Sequence, residues 1–357
     1  MSLEELRREI DNTDVEIINL IVHRTNISEQ IGREKKELNI PKRDPEREKK
    51  VLDRIKQLAR EKKLNEYDIE AIFRQLILTS SSVQGTVVAF QGEIGAYSEE
   101  AAYKYFGNAI TVKPCESFDD VFSIVEKQNV NYGIVPVENS LEGSISRTYD
   151  LLLDSDIKVI GETELRIIHC LIANPGVNIA GVKKVYSHPQ ALGQCQTYLK
   201  HLGVEIIPAY DTAGSVKMIK DKHITNGAAI ASTRAAEIYQ MPVIAREIED
   251  NPHNFTRFFI LGRHIPPPTG NDKTSIVFSI VEDKPGGLYE ILGLFANNDI
   301  NLTKIESRPS KEKLGNYLFF VDLEGHRADE LIRYILNIIR SKVGYIKVLG
   351  SYPKGED

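Results

Sequence analysis

What the chain has little of narrows its possibilities first. There are three cysteines in 357 residues, Cys115, Cys170 and Cys195. None sits in C-x-x-C or zinc spacing, so the sequence offers neither a disulfide framework nor a cysteine-ligated metal centre. An odd, scattered set fits a reducing compartment. No apolar run approaches the roughly 20 residues that span a bilayer. The opening MSLEELRREID is charged from its fourth residue, unlike a secretory signal. No G-x-G-x-x-G occurs, and the nearest stretch, Gly92-Glu-Ile-Gly95, lacks the spacing of a dinucleotide site. The net charge of −6 carries no long run of one sign, which argues against non-specific nucleic-acid binding. What is present is ordinary for a globular protein, 41% hydrophobic and 27% charged. The length fits two or three domains. The expectation is a cytoplasmic protein with no metal, no membrane span and no nucleic-acid partner.

Three regions differ in their hydrophobic period. Residues 1–84 read as helix. Leu3, Leu6, Ile10, Ile17, Leu20, Ile27 and Ile31 make one stripe over Ser2–Ile31, which holds no glycine or proline. Asn39-Ile40-Pro41 breaks the pattern, Asp44-Pro45 restarts it, and a third helix runs from about Asn65 to Ser82. Residues 85–264 alternate strand and helix, with strands expected at Thr86–Phe90, Tyr132–Val137, Arg166–Ala173, Lys184–Ser187, Val204–Pro208, Ala228–Ala231 and Phe258–Leu261. That alternation predicts a mainly parallel sheet with helices on its faces. Pro266-Pro267-Pro268-Thr269-Gly270 is a linker by composition. The final region, residues 271–357, reads strand, helix, strand, strand, helix, strand, the order of a ferredoxin-like split βαβ.

Arg24 lies on the apolar stripe of the first helix, where a charge must be paired, solvated or holding an anion. Arg7 and Lys35 share that helix. Asp44, Arg47 and Glu48 open the second, and Ser80 and Gln84 share a face at the end of the third. The set offers cations for carboxylates and neutral donors for an ether oxygen, without an activated nucleophile. "LRREID", "VHRTNISEQIGREKK", "PKRDPEREKKVLDRI" and "LILTSSSVQ" resemble the all-helical chorismate mutase family. The resemblance implies that Arg7, Arg24, Lys35, Asp44, Arg47, Glu48, Ser80 and Gln84 bind chorismate, with Lys35 and Gln84 donating to its ether oxygen. A unimolecular shift of this kind needs positioning and electrostatics rather than covalent chemistry. Arg7 and Arg24 stand 17 residues apart, about 25 Å along a helix. They serve one small dianion only if Arg7 comes from a second chain, so an intertwined dimer is expected.

In the middle region "AYSEEAA", "YSHPQALGQC", "YDTAGSVKMI" and "IASTRAAEIY" each open a helix after a strand with a small capping group. Four such helix starts at the ends of strands would make an anion site. Glu138, Asn139 and Ser140 follow an apolar strand. "AFQGEIGAYSEEAA", "YGIVPVENSLEGS", "SHPQALGQC" and "NPHNFTRFFIL" resemble prephenate dehydratase, whose Thr-Arg-Phe triplet is Thr256-Arg257-Phe258. The resemblance implies that Thr256 donates to the leaving hydroxyl of prephenate and Arg257 binds a carboxylate. Asn139, Ser140, Ser187, His188, Gln190, Thr212, Ala213 and Phe258 would complete the pocket. His188, before Pro189 at a helix start, either acts as acid–base or only caps.

"DKPGGLYEIL" and "NLTKIESRP" resemble the amino-acid-binding ACT domain of prephenate dehydratases. Gly286, Gly287 and Leu288 would meet Glu306, Ser307 and Arg308 across an interface between subunits to bind phenylalanine as an inhibitor. The implied protein is multidomain: an all-α mutase domain over 1–84, a two-lobed α/β dehydratase domain over 85–264 and an α+β ferredoxin-like ACT domain over 271–357. It would convert chorismate to prephenate and prephenate to phenylpyruvate, without a cofactor, as at least a dimer. Two rivals stand beside this: a mutase fused to prephenate dehydrogenase, which needs the missing dinucleotide site, and a non-catalytic amino-acid sensor.

Overall fold

The computed structural model describes residues 2–37, 45–83, 86–108, 110–280, 285–310 and 317–355. They form two compact units, Met1–Val87 with Phe106–Thr111, and Val88–Tyr105 with Val112–Asp357.

The first unit is helical. α1 (Leu3–Glu37) is continuous over 35 residues, about 52 Å at 1.5 Å per residue. Ser2 and Glu5 start it with a reciprocal capping pair, the Ser2 amide donating to Glu5 at 2.6 Å and the Glu5 amide to Ser2 Oγ at 3.2 Å. α2 (Pro45–Glu61) has proline in its first turn, as expected. α3 (Glu66–Val83) follows Asn65, whose side-chain oxygen accepts from the Tyr67 amide at 2.9 Å. Leu52 and Ala59 of α2 are buried, whereas the α1 stripe is not: Ile10 is 61% and Leu20 67% exposed. Among the described residues no helix is long and apolar enough to cross a membrane.

The second unit begins with β1 (Val87–Gln91), α4 (Tyr97–Phe106), β2 (Thr111–Cys115), α5 (Phe118–Glu126), β3 (Tyr132–Asn139), β4 (Gly143–Ser144), α6 (Ser146–Asp154) and β5 (Lys158–Arg166). The chain then crosses to a second lobe made of β6 (Cys170–Ala173), β7 (Lys184–Ser187), α7 (Pro189–Gln194), α8 (Gln196–Leu202), β8 (Glu205–Pro208), α9 (Thr212–Asp221), β9 (Gly227–Ala231), α10 (Thr233–Tyr239) and β10 (Val243–Ala245). It returns through β11 (Phe255–Gly262), which inserts between β3 and β5. The C-terminal region follows as β12 (Asp272–Ile280), α11 (Gly287–Ala296), β13 (Leu302–Pro309), β14 (Tyr317–Glu324), α12 (Glu330–Lys342) and β15 (Val343–Pro353).

The second lobe is a sheet in the order β10-β6-β9-β7-β8. Its strands β6 and β9 are buried on both faces, because alternate residues feed two cores. Leu171 packs with Val185, Leu192 and Ile230 on one side, Cys170 and Ile172 with Ala213 and Ala229 on the other. The larger sheet runs β13-β14-β12-β15-β5-β11-β3-β1-β2. The C-terminal strands keep the ferredoxin-like order, with Ile276, Phe278, Val321 and Leu323 packed on Ile291, Phe295, Ile335 and Ile339 of the two helices. Their sheet joins the first lobe at one parallel pair, Gly350 with Val159.

Three expectations change. The run Arg166–Ala173 is not one strand: β5 ends at Arg166 and β6 begins at Cys170, in different sheets. Apolar residues on both sides of His169, Ile167 and Ile168 before it and Cys170–Ala173 after it, hide this crossing. The sheets are mixed rather than mainly parallel, because β11 returns antiparallel to both β3 and β5 and β6 is antiparallel to β9. Finally, β11 begins at Phe255 rather than Phe258, so Thr256 and Arg257 lie inside a strand and not at its mouth.

Candidate active site

A cavity of about 470 Å³ lies between the two lobes of the second unit. The first turns of α4, α5, α7 and α9 line it, through Tyr97 and Ser98, Phe118 and Asp119, Gln190 and Ala191, and Thr212. Each turn has its local cause. Ser117 and Asp120 form a capping box on α5, the His188 ring accepts from the Gln190 amide at 3.3 Å on α7, and Asp211 accepts from the Gly214 amide at 2.7 Å on α9. Each of these ends turns backbone amides and a partial positive charge toward the cleft, an arrangement that favours carboxylates. The fourth helix expected there, α10, is absent from the lining. Its Ser232 accepts from the Ala235 amide and donates to the Gly95 carbonyl at 2.9 Å, tying the lobes behind the cleft. α5 takes its place. Arg147 is the only lysine or arginine among the described residues lining the cleft, and it is paired with Asp119.

Thr256 sits on the cleft side of β11, 8% exposed, opposite Asn139 on β3. The Asn139 side chain has one possible orientation. Its Oδ1 accepts from the amides of Leu141 and Glu142 at 3.0 and 3.2 Å, so Nδ2 must point the other way. Nδ2 donates to Thr256 Oγ1 at 3.0 Å and to Asn254 Oδ1 at 2.8 Å. Thr256 is thus an acceptor toward Asn139, a bond that does not use its own proton, and the residue lines the cleft. The polarity continues outward. Asn254 Nδ2 donates to Gln194 Oε1 at 2.8 Å, and His169 Nε2 lies 2.9 Å from the same oxygen, which fixes the proton on Nε2. His169 Nδ1 lies 2.8 Å from the Tyr97 hydroxyl, which also lies 2.8 Å from the Ile168 carbonyl. Burial pushes the His169 pKa down, against the opposing bond to Gln194, so the ring is held neutral.

The residues expected to hold prephenate divide. Asn139, His188, Gln190, Thr212, Thr256 and Phe258 line the cleft. Ser140 does not: it bonds the His253 carbonyl and the Phe255 amide and fastens the turn after β3. Ser187 is fully buried and donates to the Ile230 carbonyl at 2.7 Å, and Ala213 is likewise buried in α9. Arg257, expected to bind a carboxylate, is absent from the cleft lining. Neighbours in a strand point to opposite faces, and Arg257 turns away from the cleft to Glu162 and Asp322. Tyr97, His169, Gln194, Asn254 and Asp211 were missed. His169 was hidden by the strand assigned across it. Gln194 and Asp211 stood within the quoted motifs, but their orientation needs the fold. Burial, partly offset by the Gly214 amide, raises the Asp211 carboxyl.

In the helical unit, Arg24 is partly buried, which lowers its pKa, and Nη1 donates to the Leu76 carbonyl at 2.8 Å. Arg7 and Arg47 are exposed on α1 and α2. Asp44 and Gln84 lie outside the described residues, as do the side chains of Lys35, Glu48 and Ser80.

The residues expected to hold phenylalanine separate within one chain. Gly286 adopts a positive φ of 86° and, with Gly287 and Leu288, starts α11. On β13, Glu306 and Arg308 face the first lobe. Glu306 bonds Ser144, and Arg308 Nη1 reaches the Ser146 carbonyl at 2.8 Å and Asp150 at 3.0 Å. Ser307 pairs with Phe319, which packs with the helix-side core, so it lies on the other face.

Residues 6–85 match the family model for chorismate mutase type II, residues 88–266 that for prephenate dehydratase and residues 274–337 that for the ACT domain. A bifunctional chorismate mutase/prephenate dehydratase of Aquifex aeolicus is 41% identical over 99% of this chain and 98% of its own. A prephenate dehydratase of Methanocaldococcus jannaschii is 43% identical over 72% of this chain and 95% of its own. The crystal structure of an Arthrobacter aurescens prephenate dehydratase in complex with L-Phe superposes with a TM-score of 0.69, at 31% identity, over 75% of this chain and 90% of that one. Matched in three successive regions, and along nearly its whole length by the Aquifex protein, the chain belongs to the family of bifunctional chorismate mutase/prephenate dehydratases.

Proposed function

We propose that the cleft between the lobes is where prephenate loses carbon dioxide and its ring hydroxyl to give phenylpyruvate. The observation that carries this is the Asn139–Thr256 pair, in which Thr256 accepts from Asn139 and keeps its own proton available beside a cleft lined by helix N-termini. The electrons of the breaking carbon–carboxylate bond enter the ring, and the ring expels the hydroxyl. Aromatisation supplies the driving force, and the barrier lies in the leaving oxygen. A donor already oriented toward it lowers that barrier without reorganisation. Thr256 is that donor, Asn139 orients it, and the helix ends with Arg147 hold the carboxylates. His188 caps α7 and contacts substrate rather than exchanging protons with it.

The helical unit rearranges chorismate. Arg24, Lys35, Asp44, Arg47, Glu48, Ser80 and Gln84 of one chain and Arg7 of a second chain make each site, with Lys35 and Gln84 on the ether oxygen. The continuity of α1 and its uncovered stripe support a dimer. Phenylalanine binds the ACT region as a feedback inhibitor, near Gly286–Leu288 and Ser307 of adjoining subunits, and the enzyme works in the cytoplasm. Purified protein given chorismate without any nucleotide should form prephenate and then phenylpyruvate. The Thr256→Ala protein should stop at prephenate, and phenylpyruvate formation by that variant at the parent rate would overturn the donor role.

A further inference from the structure

Asn139 and Thr256 face each other across β3 and β11, and so do their neighbours Glu138 and Arg257. The Asn139–Thr256 pair faces the cleft. The Glu138–Arg257 pair points the opposite way, onto the bare face of the ACT sheet. There each member is gripped from the ACT region. Lys304 Nζ of β13 reaches Glu138 at 2.9 Å, and Asp322 of β14 takes Arg257 Nη1 at 2.7 Å. Arg257 also bonds Glu162 of β5 at 2.6 Å and lies 3.3 Å from the Tyr352 hydroxyl of β15. The Arg257, Glu162 and Asp322 side chains are 10%, 4% and 6% exposed.

This arrangement holds Arg257 where it is. Turning it into the cleft would strip Asp322 of its cation in a buried setting, which is costly. It also bears on Thr256. The β11·β3 register shifts between Arg257 and Phe258, so the ladder that aligns Thr256 with Asn139 is interrupted at the next residue. The backbone link between the ACT sheet and β5 is the single pair Gly350 with Val159. Thr256 stays in unbroken register with Leu165 of β5, and the side-chain bonds of Arg257 add a direct connection from β11 to the ACT strands.

We propose that Arg257 is a positioning residue and not a substrate ligand: through Asp322 and Tyr352 it ties strand β11 to the ACT sheet and so fixes the Thr256 hydroxyl. This rests on the reading of the cleft as the dehydratase centre. It makes dehydratase turnover depend on ACT residues that never touch substrate.

The test is steady-state dehydration of prephenate by the full chain. Asp322→Asn should lower kcat about tenfold with KM within about twofold, since an interaction made through Thr256 acts in the transition state. Arg257→Lys should follow the same pattern, and Asp322→Glu should recover most of the lost rate. Mutase turnover by the same samples should stay at the parent value. A tenfold rise in KM for Arg257→Lys at unchanged kcat would make Arg257 a carboxylate ligand and overturn the proposal. So would parent constants for Asp322→Asn. Should Asp322→Asn fail to fold, Tyr352→Phe keeps every charge: a lower kcat at constant KM supports the tie, and unchanged constants overturn it. No prephenate turnover by the parent protein would instead sink the reading of the cleft, and the proposal with it.

Discussion

At the scale of single residues, the proposed donor role of Thr256 rests on the direction of one hydrogen bond. Asn139 donates to Thr256 because its oxygen is already taken by two backbone amides. Asn139→Asp puts an acceptor where the donor was, and the Thr256 proton turns toward it. Prephenate turnover should fall about 100- to 1,000-fold, the usual loss for one oriented donor, with chorismate rearrangement unchanged in the same preparation. Thr256→Ser keeps a hydroxyl and should lose far less. A further residue-level effect follows from Glu162. Burial alone would raise its carboxyl, but Arg257, the Gly355 amide and Lys273 bring it below the ordinary glutamate value. A depressed carboxyl stabilises the fold fully above the ordinary glutamate range and loses that contribution as pH falls through the lower folded value. Thermal midpoints should therefore drop in acid, and Glu162→Gln should show a flatter acid limb from a lower starting stability. That Thr256 lines the cleft agrees with the place its intact triplet suggested. Arg257 was expected to bind a carboxylate from the resemblance alone, which does not show that in the strand it turns to Glu162 and Asp322.

At the scale of elements, the helices were the most legible. The stripe of α1, the proline at the start of α2 and the Asn65 cap of α3 all act locally, so sequence displays them. The crossing between β5 and β6 was not, since only His169 interrupts the apolar residues where one sheet ends and another begins. The junction between β15 and β5 was equally hidden. A Cβ on Gly350 would lie 2.0 Å from the Val159 carbonyl oxygen, with the Val159 carbonyl carbon at 2.7 Å. Backbone cannot step aside as a flexible side chain can. Gly350→Ala should cost about 1–3 kcal/mol, the range of an overpacked core, read as a fall of several degrees in the melting of the second unit. A methyl group on Gly193 in α7 would meet nothing within 4 Å. Gly193→Ala should leave that melting temperature unchanged or raise it slightly. Equal losses for both variants would show that the close approach at Gly350 is not what joins the sheets.

At the scale of the whole molecule, α1 demands a partner. Its apolar residues Ile10, Ile17, Leu20 and Ile27 are 43–67% exposed in a single chain, a larger uncovered stripe than a lone surface helix carries. The same helix holds Arg7 and Arg24, about 25 Å apart when 17 residues rise 1.5 Å each. If a symmetric pairing of two chains covers the stripe, each mutase site takes Arg24 from one chain and Arg7 from the other. Arg7→Ala and Arg24→Ala chains should each be inactive as mutases alone. Co-expressed with different tags, half of the dimers are mixed, and in each mixed dimer one site has both arginines and the other neither. The mixture should therefore recover about a quarter of parent mutase activity, and mixed dimers isolated through both tags about a half. Recovery of nothing in the isolated mixed dimers would place both arginines in sites built from one chain. Dehydration of prephenate, which depends on neither arginine, should run at the parent rate in every sample and confirm that equal amounts of folded enzyme are being compared.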